Sequence, residues 1–459
     1  MVRASAADGS RGTAAVPHDP QQRRTLVVLV LAQILGTIAL GVTPSIGILL
    51  AGEVADNEAW AGLARTSSTL GAALLGIPLG NLAARRGRRI ALTTGWWVAA
   101  AGAALLVAAA QRELVVPLFL GLLMTGAGTA ASLQSRFAAT DLAAPSTRAR
   151  SLSLVVWMGA IGNVLGPNLG IPGEALGAMT GLSVYAAAFL LAAVASLLAG
   201  TLVLVLLRPD PLQVLAGRLA ALESEQALVA GVPKAPVGSV PVGCSPLADV
   251  RAGRAARFRA MVAELRADRR ARTALVALLT SQVVMVSLMT MTPVHIAHQG
   301  GSLTLVGLTI SLHVVGMYGL SPVVGILVDR AGHRATVGLG ILLFALSLLA
   351  AIFASGTTGG VLFCLVLLGL GWSFMNVAAS ALFSTVVQDR SRASAQGGAD
   401  ALSNLLGAIV AFAAGPLMVA TSFSVLGILA AVIMVPVVLL ALNPAHWADS
   451  APRTRPSSG

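Results

Sequence analysis

The chain has 459 residues, of which 56% are hydrophobic and 10% are charged, and its mean hydropathy is +0.85. This composition excludes a water-soluble globule with a polar surface and predicts an integral membrane protein. The net charge of +12 does not indicate a nucleic-acid partner, because the arginines gather in loops on one side of the predicted membrane, where they set the orientation.

The first 25 residues are polar and lack the apolar core of a signal peptide, so they are expected to form a cytoplasmic tail. Apolar segments follow, each near the roughly 20 residues that a helix needs to cross the hydrocarbon core. The twelve predicted spans cover residues 26–51, 60–84, 90–110, 114–139, 151–171, 182–207, 273–297, 303–328, 335–355, 360–387, 397–420 and 422–442.

Charge fixes the expected orientation of these spans. With the N-terminus inside, all basic residues except Arg65, Arg112 and Arg136 lie on the cytoplasmic side, as the positive-inside rule requires. Arginine is used almost to the exclusion of lysine, which is typical of a GC-rich bacterium. We therefore expect a multi-pass protein of a bacterial inner membrane with both termini in the cytoplasm.

The only lysine excludes one energy source. Lys234 lies in "VPKAP", so the chain lacks the Gly-Lys-Ser/Thr phosphate loop of an ATP-driven pump. Transport would have to draw on a gradient or on a partner subunit.

The spans divide into two sets of six, and short sequence motifs of the first set recur at corresponding positions in the second. Parallel repeats of this kind usually enclose a site at the membrane midplane. The matching pairs are Thr43–Pro44 with Thr292–Pro293, Gly80–Arg89 with Gly325–Arg334, and Gly159–Pro167 with Gly407–Pro416. The predicted domains are a tail at 1–25, a bundle at 26–207, a basic linker at 208–272, a second bundle at 273–442 and a tail at 443–459.

The linker is predicted to contain two pieces of amphipathic helix. In the second piece, Phe258, Met261, Val262 and Leu265 form an apolar stripe and arginines cover the rest. Such a helix is suited to contact anionic lipids on the inner leaflet. A solvated linker with a run of charge is the open alternative.

The six-plus-six plan and the motif Gly-x-x-x-Asp-Arg-x-Gly-x-Arg in "GILVDRAGHR" resemble the major facilitator superfamily. The resemblance implies an all-α membrane fold of two six-helix pseudo-repeats and a secondary transporter that is not an enzyme. The gating residues it implies are Gly80, Arg85, Gly87, Arg89, Gly325, Asp329, Arg330, Gly332 and Arg334. In the first copy Ala84 replaces the usual Asp, so only Asp329 could latch onto a neighbouring helix N-terminus.

Further stretches resemble one branch of the superfamily, the CcoA-like copper importers. They include "QSRFAATD" (Gln134 to Asp141), "MTMTP" (Met289 to Pro293), "SLHVVGMYGLSP" (Ser311 to Pro322) and "GLGWSFMNVAASAL" (Gly369 to Leu382). That branch uses Met-x-x-x-Met in span 7 and His-x-x-x-Met in span 8 for copper. The resemblance thus implies a metal role for Met285, Met289, His313 and Met317, although the branch also includes members thought to move riboflavin.

The chemistry of these four residues agrees with the resemblance. Residues four apart share a helix face, and at 1.5 Å per residue both pairs reach the middle of a core about 30 Å thick. Thioether sulfur and neutral imidazole suit Cu(I) rather than Mg²⁺ or Ca²⁺. Methionines at helical spacing are also common packing residues, whereas an intramembrane histidine favours a functional role.

Other polar residues in or near the spans have open roles. Arg136, Asp141 and Asp400 could gate or couple transport, or simply form ion pairs; five residues separate Arg136 from Asp141, which does not favour their pairing with each other. Gln282 and Asn376 could line a cavity or join helices. His295 and His298 are expected to be interfacial.

The sequence therefore predicts a secondary transporter that works by alternating access, with copper import as the first choice. An organic-solute carrier, for riboflavin-like uptake or drug-type efflux, is the alternative. A third interpretation is a membrane scaffold or sensor that acts through the basic linker. The repeated loop and the intramembrane polar residues count against it, because a scaffold requires neither. The expected partners are a small solute or metal ion and the bilayer, with no nucleic acid, no permanent cofactor and a monomeric chain.

Overall fold

The computed structural model describes residues 20–57, 59–144, 147–229, 268–386, 389–444 and 447. In these ranges the regular secondary structure is helical, without a strand. The predicted amphipathic stripe around Phe258 lies outside the described residues, as do most of the two predicted tails.

The first half contains spans 1 to 6. Its helices are α1 (Pro20–Gly41), a π-helical turn (Thr43–Gly47), α2 (Ile48–Val54), α3 (Ala59–Arg86), α4 (Arg88–Arg112), α5 (Val115–Ala138), α6 (Arg148–Leu165), a 3-10 turn (Gly166–Leu169), α7 (Gly170–Thr180) and α8 (Val184–Leu206). A further helix, α9 (Pro211–Val229), opens the predicted linker.

The second half contains spans 7 to 12. Its helices are α10 (Arg269–His298), α11 (Leu303–Tyr318), α12 (Ser321–Phe353), α13 (Thr358–Val386), α14 (Asp389–Ala420) and α15 (Phe423–Leu442). Eleven helical segments of the described chain are long and apolar enough to cross a membrane, and one of them, Leu303–Phe353, has 51 residues. A bend at Gly332, with φ 82° and ψ 164°, divides this segment into spans 8 and 9, so the twelve predicted spans are all present.

Helices α10 and α14 extend by polar turns beyond their predicted membrane spans. Helix α10 begins at Arg269 rather than at residue 273, and the carboxylate of Asp268 caps it by accepting from the backbone N–H of Arg270 at 2.7 Å. Helix α14 begins at Asp389, but its described part that could cross a membrane is Gly398–Ala420, so Asp400 lies near the start of the span as predicted. Counting apolar residues finds the part of a helix inside the hydrocarbon core and misses polar turns beyond it.

Proline residues interrupt three of the spans. Proline removes a backbone donor and clashes with the preceding turn, and breaks occur at Pro44 in the π-helical turn, at Pro167 in the 3-10 turn and just before Pro322. The first two breaks lie together, because a Cβ added to Gly41 would be 2.9 Å from the Cα of Gly166. Spans 1 and 5 therefore cross where neither is a regular α-helix.

The described hydrogen bonds between the two halves include several nearer one side of the membrane. We call the face at which α1 begins the basic face and the opposite one the far face. The hydroxyl of Thr66 donates to Ala408 O at 2.9 Å, and that of Ser311 donates to Val164 O at 2.6 Å and accepts from Asn168 Nδ2 at 2.7 Å. These contacts lie in the parts of α3 and α11 nearer the far face, so the halves close together there.

Candidate functional site

His313 on α11 is the most informative side chain in the centre of the second half. Its exposed fraction is 0%, and its Nδ1 lies 2.8 Å from the backbone oxygen of Leu365 on α13. A carbonyl oxygen only accepts, so Nδ1 carries the proton and donates. In this neutral tautomer Nε2 keeps a free lone pair, and it has no hydrogen-bond partner among the described residues.

A glycine on α13 allows this close approach of α11. A Cβ added to Gly369 would collide with the backbone oxygen of His313 and lie 3.2 Å from its Nδ1. The absence of a side chain at residue 369 therefore lets the imidazole reach Leu365 O.

The three predicted methionine ligands are buried in the same half. Met285 and Met289 on α10 are 3% and 5% exposed, and Met317 on α11 is 7% exposed. They belong, with many aliphatic side chains, to the large apolar cluster of the second half, and α10 and α11 are in contact. Among the described residues no group of three or more His, Cys, Asp or Glu could hold a metal, so a metal would rely on thioethers beside one imidazole.

Arg65 on α3 is a candidate site residue that sequence reasoning missed. It is half-buried, and its charge lies within electrostatic range of His313 and of Tyr318. In the described part of the chain it forms no ion pair. The available signal was an arginine inside an apolar span, a placement that is functional by default.

An aromatic pair extends the same region. The rings of Tyr318 and Trp372 meet edge to face at 5.8 Å, and Trp372 Nε1 donates to Gln282 Oε1 at 3.2 Å. Asn376 is half-buried one turn after Trp372 on α13. The structure thus brings Gln282 on α10 and Trp372 on α13 together with Tyr318 at the end of α11.

The charged residues near the basic face divide into two groups. Asp141 accepts from Arg88 Nε at 2.9 Å in an ion pair, so it bonds a loop arginine that was not predicted and not Arg136, as the five-residue spacing indicated. Arg136 instead lies within electrostatic range of Tyr318 and Asp400, and its Nε finds no partner among the described residues.

In the first signature loop, Gly87 and Arg89 meet a carboxylate that the sequence did not predict. Asp210, which follows α8, accepts from the backbone N–H of Arg89 at 2.7 Å and from that of Leu212 at 2.9 Å. Gly87 has φ 91°, and an added Cβ would collide with the same carboxylate. We call this contact between the start of span 3 and the end of span 6 the first tie.

The second signature loop makes the equivalent contact with different atoms. Arg334 donates from Nε to Ala441 O and from Nη2 to Leu442 O, both at 3.2 Å. We call this contact between spans 9 and 12 the second tie. Gly332, which precedes it, has φ 82° and open space around an added Cβ.

The remaining loop residues lie free on the basic face. Asp329, Arg85 and Arg330 are exposed, and Asp329 forms no ion pair or hydrogen bond within the described ranges. Gly80 and Gly325 have no atom within 4 Å of an added Cβ. Among the residues whose side chains the structure describes, Asp329 has no partner that would form the predicted latch.

The contacts of His295 join elements of the second half. Its Nε2 lies 2.8 Å from Ser355 O, and its ring stacks on Phe423 at 4.4 Å and 12°. Both contacts join α10 to other elements of the second half near the far face, in keeping with the interfacial role expected for it.

Comparison with known proteins supplies the family. A family model described as Major Facilitator Superfamily matches residues 25–302 and 273–458. Two Bacillus subtilis proteins, the uncharacterised MFS-type transporters YddS and YdeG, are 33% and 34% identical and cover 91% of this chain each, with 90% and 91% of their own lengths aligned. The riboflavin transporter RfnT of Brucella anthropi is 28% identical over 92% of this chain and 95% of its own.

Solved structures show the same fold. A bacterial homologue of the human lysosomal transporter Spinster superposes with TM-score 0.64 at 16% identity, over 88% of this chain and 83% of its own. The nucleoside transporter NupG superposes with TM-score 0.62 at 14% identity, over 94% and 100%. With the family model matching both halves, the chain belongs to the major facilitator superfamily.

Proposed function

We propose that the chain imports copper, carried as Cu(I) through a site formed by His313 and the thioethers of Met285, Met289 and Met317. Membership of the superfamily makes it a membrane transporter, in a family whose members are generally not enzymes. The copper site is the finer step, and one observation carries it: a fully buried imidazole with a free Nε2 lone pair.

The environment of His313 is the one that prepares a histidine for a metal. Metal-ligating histidines usually donate the other ring N–H to a carboxylate or backbone carbonyl, which fixes the tautomer and the ring orientation. Leu365 O plays that part here. A buried polar nitrogen without a partner is otherwise costly, by about 1 to 3 kcal/mol.

Met285, Met289 and Met317 are suitable companions for such a ligand. Thioethers select Cu(I) over hard cations, and a neutral set without thiolates holds the ion loosely enough for release. The ion would enter from the far face when the halves part there and leave at the basic face, where Asp329 is exposed. Alternation would exchange the contacts of Thr66 and Ser311 for contacts at the basic face.

A second candidate, an organic solute, is favoured by a different observation. Arg65 is a positive charge near His313 without a carboxylate partner in the described chain, and it opposes a bare cation. With the Tyr318–Trp372 pair, it suits a planar solute that is anionic or rich in acceptors. The relative RfnT, named as a riboflavin transporter, points the same way.

Removing sulfur without changing volume tests copper most directly. We would compare the double variant Met285→Leu/Met289→Leu with Met418→Leu/Met434→Leu, since Met418 and Met434 are equally buried in the same apolar cluster. Methionine-to-leucine changes cost under about 1.5 kcal/mol, so both proteins should reach the membrane. Copper transport predicts that radiocopper uptake falls at least about tenfold in the first variant only, a loss of roughly 1.4 kcal/mol.

Arg65 and His313 separate the two candidates. If copper is the substrate, His313→Ala abolishes radiocopper uptake and Arg65→Ala preserves or raises it. If a flavin-like solute is the substrate, labelled riboflavin uptake is lost in Arg65→Ala and unaffected by the methionine substitutions. Uptake of radiocopper that is unchanged in His313→Ala would disprove the copper proposal.

A further inference from the structure

A groove of about 510 Å³ lies at the basic face beside the first turns of α1. Its lining comes from Pro20, Arg23, Arg24, Val27 and Val28 of α1 and from Leu206 at the end of α8. The volume lies within the roughly 300–1,000 Å³ typical of ligand sites. The groove is on the outer surface of the first half, separate from the central site.

The groove has charged groups at the membrane surface and apolar groups deeper in the membrane, which matches the headgroup and acyl chain of a lipid. Arg23 and Arg24 are exposed near the start of α1, at the level where a helix leaves the bilayer. Val27 and Val28 come one turn later, about 5 to 6 Å deeper at 1.5 Å per residue. A phosphate at the arginines would therefore have apolar wall directly below it.

Within the described residues, no acidic side chain neutralises the arginines of this groove. Arg23 and Arg24 form no ion pair in the described ranges, and α9 adds a further arginine nearby, because Arg218 Nη2 donates to Gln21 Oε1 at 3.1 Å. A soluble anion would use the arginines but not Val27, Val28 and Leu206. An anion attached to an alkyl chain uses both.

A second groove at the basic face gives a useful contrast. It lies between α12 and α15, has a volume of about 500 Å³ and is lined by Arg334 with mainly apolar residues. Its arginine already donates to Ala441 O and Leu442 O. The two grooves therefore have similar size and apolar lining. They differ in that Arg23 and Arg24 of the first groove form no ion pair in the described ranges.

We propose that the groove between α1 and α8 binds an anionic phospholipid, with its phosphate on Arg23 and Arg24 and an acyl chain along Val27, Val28 and Leu206. Guanidinium groups bind phosphate oxygens with two parallel hydrogen bonds, and basic pockets on the inner side of membrane proteins favour anionic headgroups. The bound lipid would brace the seam between spans 1 and 6. This site is independent of the transported solute.

Native mass spectrometry of the delipidated full-length chain tests the proposal by titration with phosphatidylglycerol or phosphatidylcholine of the same acyl chains. We expect one phosphatidylglycerol to bind first and more tightly than phosphatidylcholine. Arg23→Gln/Arg24→Gln should weaken that first binding about 30-fold, since each basic residue near the surface contributes on the order of 1 kcal/mol. Arg85→Gln/Arg86→Gln removes the same charge from exposed residues of the basic face and should change it less than about twofold.

Each other outcome contradicts the proposal. Equal losses in the two double variants would mean diffuse attraction to a positive surface, and equal binding of the two lipids would mean an unselective apolar groove. Competition by soluble glycerol phosphate at the concentration of the lipid would identify a free-anion site. Leu206→Gln should weaken phosphatidylglycerol binding as well, and full retention in that variant would exclude the acyl-chain contact.

Discussion

Gly369 controls how His313 is held. Replacing it with alanine puts a methyl group against His313 O and Nδ1, which forces α11 away from α13 and breaks the bond to Leu365 O. Overpacking of this kind costs about 1 to 3 kcal/mol. We expect a lower thermal midpoint and a loss of transport.

A matched control lies on the same helix. Gly359 has no atom within 4 Å of an added Cβ, so Gly359→Ala should leave the midpoint unchanged or raise it, because alanine is the better helix former. Equal midpoints for the two variants would show that α11 moves freely against α13.

The two loop glycines with positive φ should respond differently to the same substitution. Alanine at either position meets backbone strain of about 1 to 3 kcal/mol, but at Gly87 it also meets the carboxylate of Asp210, whereas the surroundings of Gly332 are open. We therefore expect Gly87→Ala to lower the thermal midpoint more than Gly332→Ala. In an Asp210→Ala background the gap should close, and a gap that persists would place the clash elsewhere.

At the level of single residues, the sequence predicted which side chains matter better than it predicted their contacts. His313 stood out because intramembrane histidines are rare, but its bond to Leu365 O depends on the packing of α11 against α13, which no local pattern encodes. Arg65 was noted only as an exception to the cytoplasmic arginines, because a linear count of residues does not show which groups of the other half its charge approaches. Asp210 was missed since it lies far along the chain from the glycine it contacts.

Single elements were predictable where a physical limit acts on the chain locally. The thickness of the hydrocarbon core sets a minimum length for each span, and all spans were found. Helices α10 and α14 begin before their spans, because polar turns beyond the core depend on local features such as the Asp268 cap and not on apolar length. The bend at Gly332 separates spans 8 and 9, and it lies between their predicted bounds at residues 328 and 335.

Substitution of Ser311 on α11 should shift the equilibrium between the conformation closed at the far face and the one open there. Its hydroxyl donates to Val164 O and accepts from Asn168, so Ser311→Ala removes contacts between the halves on the far face only. Each hydrogen bond contributes about 0.5 to 1.5 kcal/mol. The fraction of molecules open at the far face should rise by about 2- to 10-fold for each bond lost.

Spin labels on the far face measure this shift as a distance between the halves, for example at Arg112 and Gly356. Thr309→Val is the control, because the hydroxyl of Thr309 is on the same helix and donates to Leu305 O within it. If both variants lengthen the distance equally, the cause is damage to α11 and not loss of the contact between halves.

The molecule as a whole offers a test of its orientation. An even number of spans puts both termini on one side, and the arginine-rich loops predict that this side is the cytoplasm. Green fluorescent protein fused after Gly459 should therefore be fluorescent, and alkaline phosphatase fused there should be inactive. Alkaline phosphatase fused after Gly181, in the turn between α7 and α8, should be active; the reverse pattern would invert the topology.

The repeated loops allowed the six-plus-six plan to be read from the sequence, because repeats in one chain must fold by the same rules. The side on which the halves meet could not be read in that way. Alternating states share one sequence and differ in contacts of modest free energy, such as those of Thr66 and Ser311.

The two ties differ in the number of residues whose substitution would break them. In the second tie, Arg334 donates to the main-chain oxygens of residues 441 and 442. Most substitutions at those two residues would keep these acceptors, so Arg334 is the main residue whose substitution breaks the second tie. The first tie depends on a side-chain carboxylate at Asp210 and on the missing side chain of Gly87. Random mutation therefore has a larger target in the first half, and selection for transport should recover losses of the first tie more often than losses of the second.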